Sequence, residues 1–335
     1  MLVIMNKNYQ PDELDQVVTS IENFGYKAHV LPGDHSMAVG VTGNQTCLEL
    51  EQLSQLPGVK EVIRVSSPYK LSGRTFQPAD TEFEVGGVTI ANGHFVIMAG
   101  PCAVESEAQT LRLAHAVKEA GAQILRGGAY KPRTSPYAFQ GMGLEGLKIL
   151  AQARNETGLP VVTEAVDLPS LDHVYEYADI IQIGARNMQN FTLLKAAGQL
   201  DKPVLLKRGL SATIDEWLMA AEYILSEGNS RVILCERGLR HYDPHTRNLL
   251  DLGAVLVLRE LSHLPVVVDP SHSLGRREMV VPAARAAVAI GAQGILVDVH
   301  DRPKEALCDG PQAISPDMFA DMVQTIHRLE VAMQA

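Results

Sequence analysis

Hydrophobic and polar positions over the first 66 residues predict a small α+β domain. Apolar positions recur with helical spacing after Pro11, and Gly25 is a typical residue just past a helix end. A second helix is expected before the last strand. The order βαββαβ is that of a ferredoxin-like domain, which we assign to residues 1–66. Four short apolar runs predict its strands: Leu2–Met5, Tyr26–Leu31, Met37–Val41 and Val59–Val65.

The pattern changes over the next segment. A polar stretch that contains prolines, from Ser66 to Asp80, predicts a linker. The pair Gly86-Gly87 then predicts the turn of a hairpin. We therefore assign residues 67–93 to a linker and a hairpin.

From His94 onward, short apolar runs alternate with amphipathic stretches, a pattern typical of βα units on a parallel sheet. Eight such units in about 240 residues predict an α/β fold, a (β/α)8 TIM barrel over residues 94–335, more strongly than a doubly wound open sheet. The predicted strands are Phe95–Ala99, Gln123–Arg126, Pro160–Glu164, Ile180–Arg186, Pro203–Lys207, Arg231–Glu236, Leu264–Asp269 and Gly294–His300. Predicted helices include Glu107–Glu119, Thr213–Ser226, Val281–Ile290 and Pro316–Met333.

Composition narrows the classes of partner. The formal net charge of −10 argues against attraction to nucleic acid or to anionic membranes, so any anionic ligand needs a local cationic pocket. Apolar runs are too short to span a bilayer, and the segment from Met1 to Met5 lacks the features of a secretory signal. Four widely spaced cysteines indicate thiols of a reducing compartment, so we expect a cytoplasmic protein.

Active sites of TIM barrels lie at the carboxyl ends of the strands, and these ends are basic here. Arg126, Arg186, Lys207-Arg208 and Arg237 end or follow strands two, four, five and six. Each could be a surface charge that reaches water, but cations that converge on one mouth repel one another unless an anion binds there. The sequence therefore predicts an anion site.

The loop after strand two, Gly127 to Tyr137, has the composition of a phosphate-binding loop. Its glycines permit close backbone approach, Arg133 offers a planar pair of donors, and Thr134 and Ser135 offer hydroxyl groups. It is not a Walker A motif, so ATP is not implied.

Four residues with metal-binding side chains fall at or beyond strand ends: Cys102, His272, Asp298 and Asp309. Sulfur, imidazole nitrogen and carboxylate oxygen suit a divalent ion such as Mn, Fe, Co or Zn. Alternation along strand eight places Asp298 and His300 on one face. A lone cysteine is ordinarily a small buried apolar residue. The reason to group these four residues is that a barrel would bring the ends of its strands together.

Six motifs resemble one enzyme family. The chain is similar to the type I synthases of 3-deoxy-D-arabino-heptulosonate 7-phosphate (DAHP), in the subgroup whose N-terminal ferredoxin-like domain senses an aromatic amino acid. The motifs are Ala99–Cys102, Leu125–Ser135, Ile183–Asn187, Leu206–Gly209, Cys235–Gly238 and Asp269–His272.

The resemblance implies condensation of phosphoenolpyruvate with erythrose 4-phosphate and water, with release of phosphate. It places Cys102, His272 and Asp309 at metal-ligand positions; Asp298 stands where the family has Glu, one methylene longer. Lys131, Glu164, Cys102 and His272 are our catalytic candidates. The substrate-binding candidates are Arg126, Lys131, Arg186, Lys207 and Arg237 for phosphoenolpyruvate, Arg133, Thr134 and Ser135 for the sugar phosphate, with Ala185 and Asp269.

Three alternatives remain from the sequence. One is the related octulosonate 8-phosphate synthase reaction with arabinose 5-phosphate, although that family has a different loop at Lys131–Ser135. Another makes Lys207 a Schiff-base nucleophile. The third is a metabolite sensor without catalysis. For the small domain we predict either tyrosine or phenylalanine binding or plain oligomerisation, in a homotetramer or homodimer.

Overall fold

A computed structural model describes residues 1–32, 37–43, 50–63 and 68–334. The chain divides into two compact units. The first comprises Met1–Asp80 with Leu261–His263, and the second comprises Thr81–Glu260 and Leu264–Ala335. No helix in the described ranges is long and apolar enough to cross a membrane.

The described part of the first unit has the predicted ferredoxin-like order. Its strands form an antiparallel sheet in the order β2-β3-β1-β4. Positions 64 and 65, predicted to end the fourth strand, lie outside the described residues. The elements are β1 (Leu2–Met5), α1 (Pro11–Asn23), β2 (Lys27–Pro32), β3 (Met37–Thr42), α2 (Leu50–Ser54) and β4 (Val59–Ile63).

Helix α1 shows why this order folds. Pro11 occupies the first turn, where its missing N–H costs nothing, and Gln10 and Glu13 form a reciprocal capping box. Val17 and Ile21, one turn apart, are fully buried with Val3 in the core of this unit. The apolar residues that recur with helical spacing in the sequence thus form the face of α1 that packs against the sheet.

The second unit is a closed parallel barrel preceded by a hairpin of β5 (Phe83–Val85) and β6 (Val88–Ile90). Each barrel strand pairs in parallel with its neighbours, and β14 closes the ring against β7. This confirms the TIM-barrel prediction. The barrel strands are β7 (Val96–Gly100), β8 (Ile124–Arg126), β9 (Val161–Ala165), β10 (Ile180–Ile183), β11 (Val204–Lys207), β12 (Val232–Glu236), β13 (Val266–Val268) and β14 (Gly294–Asp298).

Helices separate these strands along the chain, as expected for βα units. They are α3 (Glu107–Glu119), α4 (Leu144–Thr157), α5 (Leu168–Tyr177), α6 (Phe191–Gly198), α7 (Ile214–Leu225), α8 (Leu252–Leu261), α9 (Pro270–Leu274), α10 (Arg277–Ala289) and α11 (Pro316–Gln334).

The hairpin determines which end of the barrel is open. Val85 and Ile90 of the hairpin belong to the same buried cluster as Val96, Ile124 and Leu205, which come from the first residues of barrel strands. The hairpin therefore covers the amino-terminal end of the barrel. A site for substrates is left to the carboxyl end.

Three predicted strands were clearly too long. The seventh, predicted as Leu264–Asp269, is Val266–Val268. The fourth ends at Ile183, and Arg186 lies in a single 3₁₀ turn, Ala185–Asn187. Gly184 marks the change: a Cβ there would stand 1.9 Å from Glu164 Oε1, so the Glu164 side chain occupies that space. The eighth strand ends at Asp298, and His300 lies beyond it.

Candidate active site

A cavity of about 300 Å³ opens at the carboxyl end of the barrel. It is lined by side chains near or beyond the carboxyl ends of strands β8 to β13, together with residues of the loop after β14. Seven of its lining residues are cationic, and Glu164 and Asp309 are the acidic ones. The cations are Arg126, Lys131, Arg133, Arg186, Lys207, Arg237 and Arg247. This excess of positive charge favours binding of multiply charged anions, in a chain whose overall charge is negative.

Arg126 is fixed by partners beneath the cavity. Its Nη1 lies 2.7 Å from Asp298 Oδ1 and donates to the carbonyl of Pro101 at 2.9 Å. Burial alone would lower the pKa of Arg126, but the charges of Asp298, Cys102 and Asp269 together outweigh it, so the net pKa is raised. Arg126 is therefore a permanent cation held in one orientation.

Asp269 orders the opposite side of the site. Its Oδ2 lies 2.6 Å from Lys207 Nζ and 2.8 Å from His272 Nδ1, and its Oδ1 accepts from the backbone N–H of His272 at 2.8 Å as the N-cap of α9. Burial alone would raise the pKa of Asp269. The charges of His272 and Lys207, with the hydrogen bonds from His272, lower it by more, so the net pKa is well below its usual value. The carboxylate thus holds both side chains in place.

The ring of His272 points its other nitrogen toward two further donors. Nε2 lies 3.8 Å from Cys102 Sγ and 3.7 Å from Asp309 Oδ2, and that sulfur and oxygen are 3.4 Å apart. Metal bonds of about 2.0–2.3 Å to nitrogen, oxygen and sulfur give tetrahedral donor–donor separations of about 3.3–3.8 Å. The three side chains therefore fit a divalent ion.

Asp298 approaches a different nitrogen of His272 from the one that Cys102 and Asp309 approach. Its Oδ2 is 3.6 Å from Nδ1 of His272, the nitrogen that faces Asp269. Cys102, His272 and Asp298 nonetheless form a compact group of donors, as do Cys102, Cys308 and Asp309. Cys102 belongs to both groups.

The backbone of Asp309 is unusual. Its φ is 52°. Among the residues that the structure describes, it is the non-glycine residue with a left-handed backbone conformation. Aspartate tolerates this region better than most residues, and such conformations concentrate at functional sites. The turn aims one carboxylate oxygen at His272 and Cys102, while the other lies 3.1 Å from Arg247 Nη1.

Lys131 connects the donors with the cationic cavity. Its Nζ donates to the Cys102 carbonyl at 2.9 Å and lies 3.3 Å from Cys102 Sγ. Burial lowers the pKa of Lys131, but Cys102, Cys308 and Glu164 raise it more, so the net pKa is raised. The ammonium group therefore stays charged beside the predicted metal position.

Two family models match the chain. One, described as the DAHP synthetase I family, covers residues 74–335, and another, described as the DAHP synthase ferredoxin-like domain, covers residues 1–67. The chain belongs to the DAHP synthetase I family. It is thus an enzyme, a transferase that forms a carbon–carbon bond, and the resemblance drawn from its motifs is confirmed.

Relatives agree with this membership. A phospho-2-dehydro-3-deoxyheptonate aldolase of Thermotoga maritima is 48% identical over 99% of this chain and 98% of its own length. A crystal structure of that kind of protein from T. maritima, named DAHP synthase, covers 99% of this chain and 97% of its own with a TM-score of 0.79 and 46% identity. A 2-dehydro-3-deoxyphosphooctonate aldolase of Syntrophotalea carbinolica is 36% identical over 75% of this chain and 96% of its own length.

The loop of this DAHP synthetase family member contributes to the same cavity. Arg133, Thr134 and Ser135 line it, and Arg186 Nη2 donates to Thr134 Oγ1 at 3.3 Å. Ala185 also lines the cavity. The contact between Thr134 and Arg186 joins the loops that follow β8 and β10.

Glu164 lies on the wall of the cavity, largely buried. Its Oε2 accepts from Gln182 Nε2 at 3.2 Å. The absence of a side chain at Gly184 leaves the space that the Glu164 carboxylate occupies. Gly184, the second residue of the Ile183–Asn187 motif, therefore leaves room for the Glu164 side chain in the wall of the cavity.

Several residues that the sequence singled out are not among those that line the cavity: Cys102, Asp269, Asp298, Arg208 and His300. His300 contacts Gln109 at 3.0 Å and Glu105 at 3.3 Å. Arg208 is buried against Glu236 and Asp251, each at 2.9 Å, and binds within the protein instead of at the mouth.

Sequence reasoning also missed Arg247, Gln182 and Cys308, which line the cavity. Arg247 lies in a long segment between β12 and α8 that has no apolar period. Gln182 could have been found, because it is a polar residue inside an otherwise apolar strand.

Proposed function

We propose that this chain condenses phosphoenolpyruvate with erythrose 4-phosphate and water to give DAHP and phosphate, in a metal-dependent reaction that begins the route to aromatic amino acids. The observation that carries the proposal is the group of Cys102, His272 and Asp309 donors beside a cavity with seven cationic side chains. Two phosphorylated substrates repel each other in water. A cationic site that binds both supplies proximity and neutralises that repulsion.

Phosphoenolpyruvate is assigned to the deeper cations. Arg126 and Lys207 are buried and held by Asp298 and Asp269, so they present fixed charge to a carboxylate and a phosphate. Arg186 and Arg237, with the neighbouring Ala185, line the same space. Fixed orientation matters because C3 of phosphoenolpyruvate must face the aldehyde carbon.

The sugar phosphate is assigned to the loop after β8. Arg133 offers a bidentate guanidinium, and the hydroxyl groups of Thr134 and Ser135 add donors. Because Thr134 contacts Arg186, the loop and the phosphoenolpyruvate side of the cavity are coupled. The loop therefore places the aldehyde end of the sugar toward the donors.

Lys131 and Glu164 are assigned to proton transfer and charge stabilisation. The charged Lys131 ammonium is positioned to stabilise the alkoxide that forms when C3 attacks the aldehyde. Glu164 is assigned to the water that adds at C2 before phosphate leaves by C–O cleavage. A divalent ion held by Cys102, His272 and Asp309 would supply Lewis acidity toward the aldehyde oxygen.

Metal removal tests the proposal. Purified protein is assayed for phosphate release and DAHP formation before chelation, after chelation and after addition of Mn, Fe(II), Co or Zn. Activity should vanish on chelation and return with a metal. Full activity in metal-free protein, with borohydride trapping of substrate on Lys207, would instead support a Schiff-base mechanism.

The octulosonate reaction is the second candidate, because several relatives carry that name at lower identity. Side-by-side turnover with erythrose 4-phosphate and arabinose 5-phosphate separates the two. We expect a preference for the four-carbon sugar. Absence of phosphate release with either sugar and every metal would leave a binding protein without catalysis.

We further propose that residues 1–66 form a regulatory or oligomerisation domain, residues 67–93 a linker and hairpin, and residues 94–335 the catalytic barrel. The outer strands β2 and β4 expose Val30 and Ile63, which suits pairing with another subunit. Tyrosine and phenylalanine are titrated against the initial rate. Inhibition by either supports regulation, and unchanged rates would leave the oligomerisation role.

A further inference from the structure

Cys308 lies beside the predicted metal donors, although no sequence pattern marked it. Its Sγ is 3.6 Å from Cys102 Sγ and 3.6 Å from Asp309 Oδ2. Both separations fall within the about 3.3–3.8 Å expected between donors of one tetrahedral ion. The side chain is buried and lines the same cavity as His272 and Asp309.

Asp298, the fourth residue expected from the sequence, is engaged elsewhere. It is fully buried, with Oδ1 at 2.7 Å from Arg126 Nη1 and Oδ2 accepting from Gln312 Nε2 at 2.6 Å. Its approach to His272 is at Nδ1, whereas Cys102 and Asp309 approach Nε2. Asp298 lies within 4.8 Å of Cys102 and His272, but it approaches the ring nitrogen that faces Asp269, and Arg126 and Gln312 already engage its two oxygens.

We propose that Cys308 is the fourth protein ligand of the metal, in place of Asp298, so that the ion is bound by two sulfurs, one imidazole nitrogen and one carboxylate. This inference rests on the proposed metal dependence. Asp298 then serves to hold Arg126. Zinc sites can expand to five ligands during a reaction, so four protein donors are compatible with a catalytic ion.

A second thiolate changes which metal the site prefers. Soft sulfur ligands favour Zn, Fe(II) and Co over Mn, which prefers oxygen. Competition between equal concentrations of Zn and Mn for the stripped protein should therefore favour Zn. The Cys308→Ser variant should reduce that preference.

The number of bound sulfurs is the direct test. The full chain is stripped, reloaded with Zn in the presence of a reductant that keeps thiols reduced, and studied by X-ray absorption. Zn–S bonds of about 2.3 Å are resolved from Zn–N and Zn–O bonds of about 2.0–2.2 Å. We expect two sulfurs in the wild type and one in Cys308→Ser and Cys308→Ala.

Cys235→Ala is the matched control. Cys235 is another buried thiol, inside the barrel core and away from the donors. This variant also loses one thiol but should keep two metal-bound sulfurs. In Co-loaded protein, the sulfur-to-metal charge-transfer absorption should fall by about half in Cys308→Ser and stay unchanged in Cys235→Ala.

Affinity gives a second measurement. Competition with a chromophoric chelator should show Zn binding weakened at least about tenfold in Cys308→Ser. One sulfur in the wild-type spectrum, or an unchanged spectrum and affinity in Cys308→Ser, would overturn the inference while leaving the proposed metal dependence intact. A wild-type protein that binds no metal at all would overturn both, and metal stoichiometry identifies that outcome.

Discussion

At the scale of single residues, Asp269 contacts both Lys207, which we propose binds substrate, and His272, a proposed metal donor. One carboxylate contacts Lys207, fixes the His272 ring through Nδ1 and caps the helix that carries His272. A carboxylate behind one ring nitrogen of a histidine ligand usually orients the ring, and Asp269 at 2.8 Å from Nδ1 is placed to present Nε2 to a metal. Under the proposed metal dependence, Asp269 would therefore act on the metal without being a ligand.

Replacement of Asp269 by Asn should weaken metal binding about 10–100-fold, because the carboxylate that orients His272 is lost. It should also lower the free energy of unfolding by about 3–5 kcal/mol, because it removes one partner of a buried ion pair and leaves Lys207 without its carboxylate. Chelator competition and thermal melting measure the two effects.

A double variant, Asp269→Asn with Lys207→Met, separates these effects. It also removes Lys207, which Asp269→Asn leaves without its carboxylate partner, so stability should recover while metal affinity stays low. Recovery of metal affinity together with stability would mean that Asp269 acts on the fold alone.

Lys131→Met should reduce kcat by about 10²–10⁴-fold, because it removes a buried cation beside Cys102 while preserving the bulk of the side chain. Steady-state kinetics with both substrates measure the loss. Lys148→Met is the control: Lys148 is an exposed lysine on α4 that pairs with Glu145, so kcat should not change. Equal kcat in the wild type and Lys131→Met would remove Lys131 from the catalytic set.

Cys102, His272 and Asp309 could be predicted to approach one another although they are far apart in sequence. The rule that sites form at the carboxyl ends of parallel strands supplied the proximity. Cys308 and Arg247 could not, because loop conformation places them. The left-handed turn at Asp309, which follows Cys308, leaves no signal in the hydrophobic pattern.

At the scale of elements, helix starts depend on individual caps. Asp167 precedes α5 and accepts from the backbone N–H of Ser170 at 2.8 Å. Hydrogen bonds from Ser170 lower the pKa of Asp167. The cap is therefore strongest while the carboxylate is ionised.

Asp167→Ala should lower the free energy of unfolding at neutral pH by about 1 kcal/mol, or about 2 °C in Tm. Because the folded pKa lies below the unfolded one, the stabilisation is complete above the unfolded pKa and is lost as pH falls through the folded pKa. Melting curves over a pH series measure this gap.

Asp167→Asn is the control for charge. Asn caps a helix about as well as Asp but does not titrate, so its Tm should match the wild type at neutral pH. A gap between wild type and Asp167→Ala that stays constant into strong acid would contradict the role of the ionised carboxylate.

Strand and helix positions were predictable where apolar runs were long. Helix α3 has the predicted bounds, Glu107–Glu119, because its buried face repeats over three turns. Helix α9 was not predicted, since five residues are too few for periodicity. The end of β10 was also missed, because Glu164 of a neighbouring strand shapes the backbone at Gly184.

At the scale of the whole molecule, the order of elements was predictable because each βα unit leaves its own local pattern. The position of the hairpin was not, since the contacts of Val85 and Ile90 are with strands distant in sequence. The positive charge of the cavity was predicted from the basic residues at the strand ends, not from the overall composition. A net charge of −10 gives no indication that seven cations line one pocket.

Removal of residues 1–67 should leave kcat near that of the full chain and abolish any response to tyrosine or phenylalanine. The barrel core cluster contains residues from Val85 onward. A truncated form of a DAHP synthase from T. maritima is 50% identical, covers 79% of this chain and has a TM-score of 0.75. Initial rates of both forms, with and without each amino acid, test the expectation.

A folded but inactive barrel would contradict this division of roles. Retained inhibition in the truncated form would place the effector on the barrel instead. Circular dichroism of the truncated protein distinguishes loss of activity from loss of fold.

Strand β14 closes the barrel against β7, with Asp298 opposite Gly100, so the barrel can close only after β14 has been synthesised. Cys102 emerges from the ribosome 170 residues before His272 and 207 residues before Asp309. At about 5–20 residues per second, that interval lasts about ten to forty seconds. The nascent chain therefore carries an unpartnered thiol through most of its translation, and a metal can be captured by the full set of donors once the last strand has joined the first.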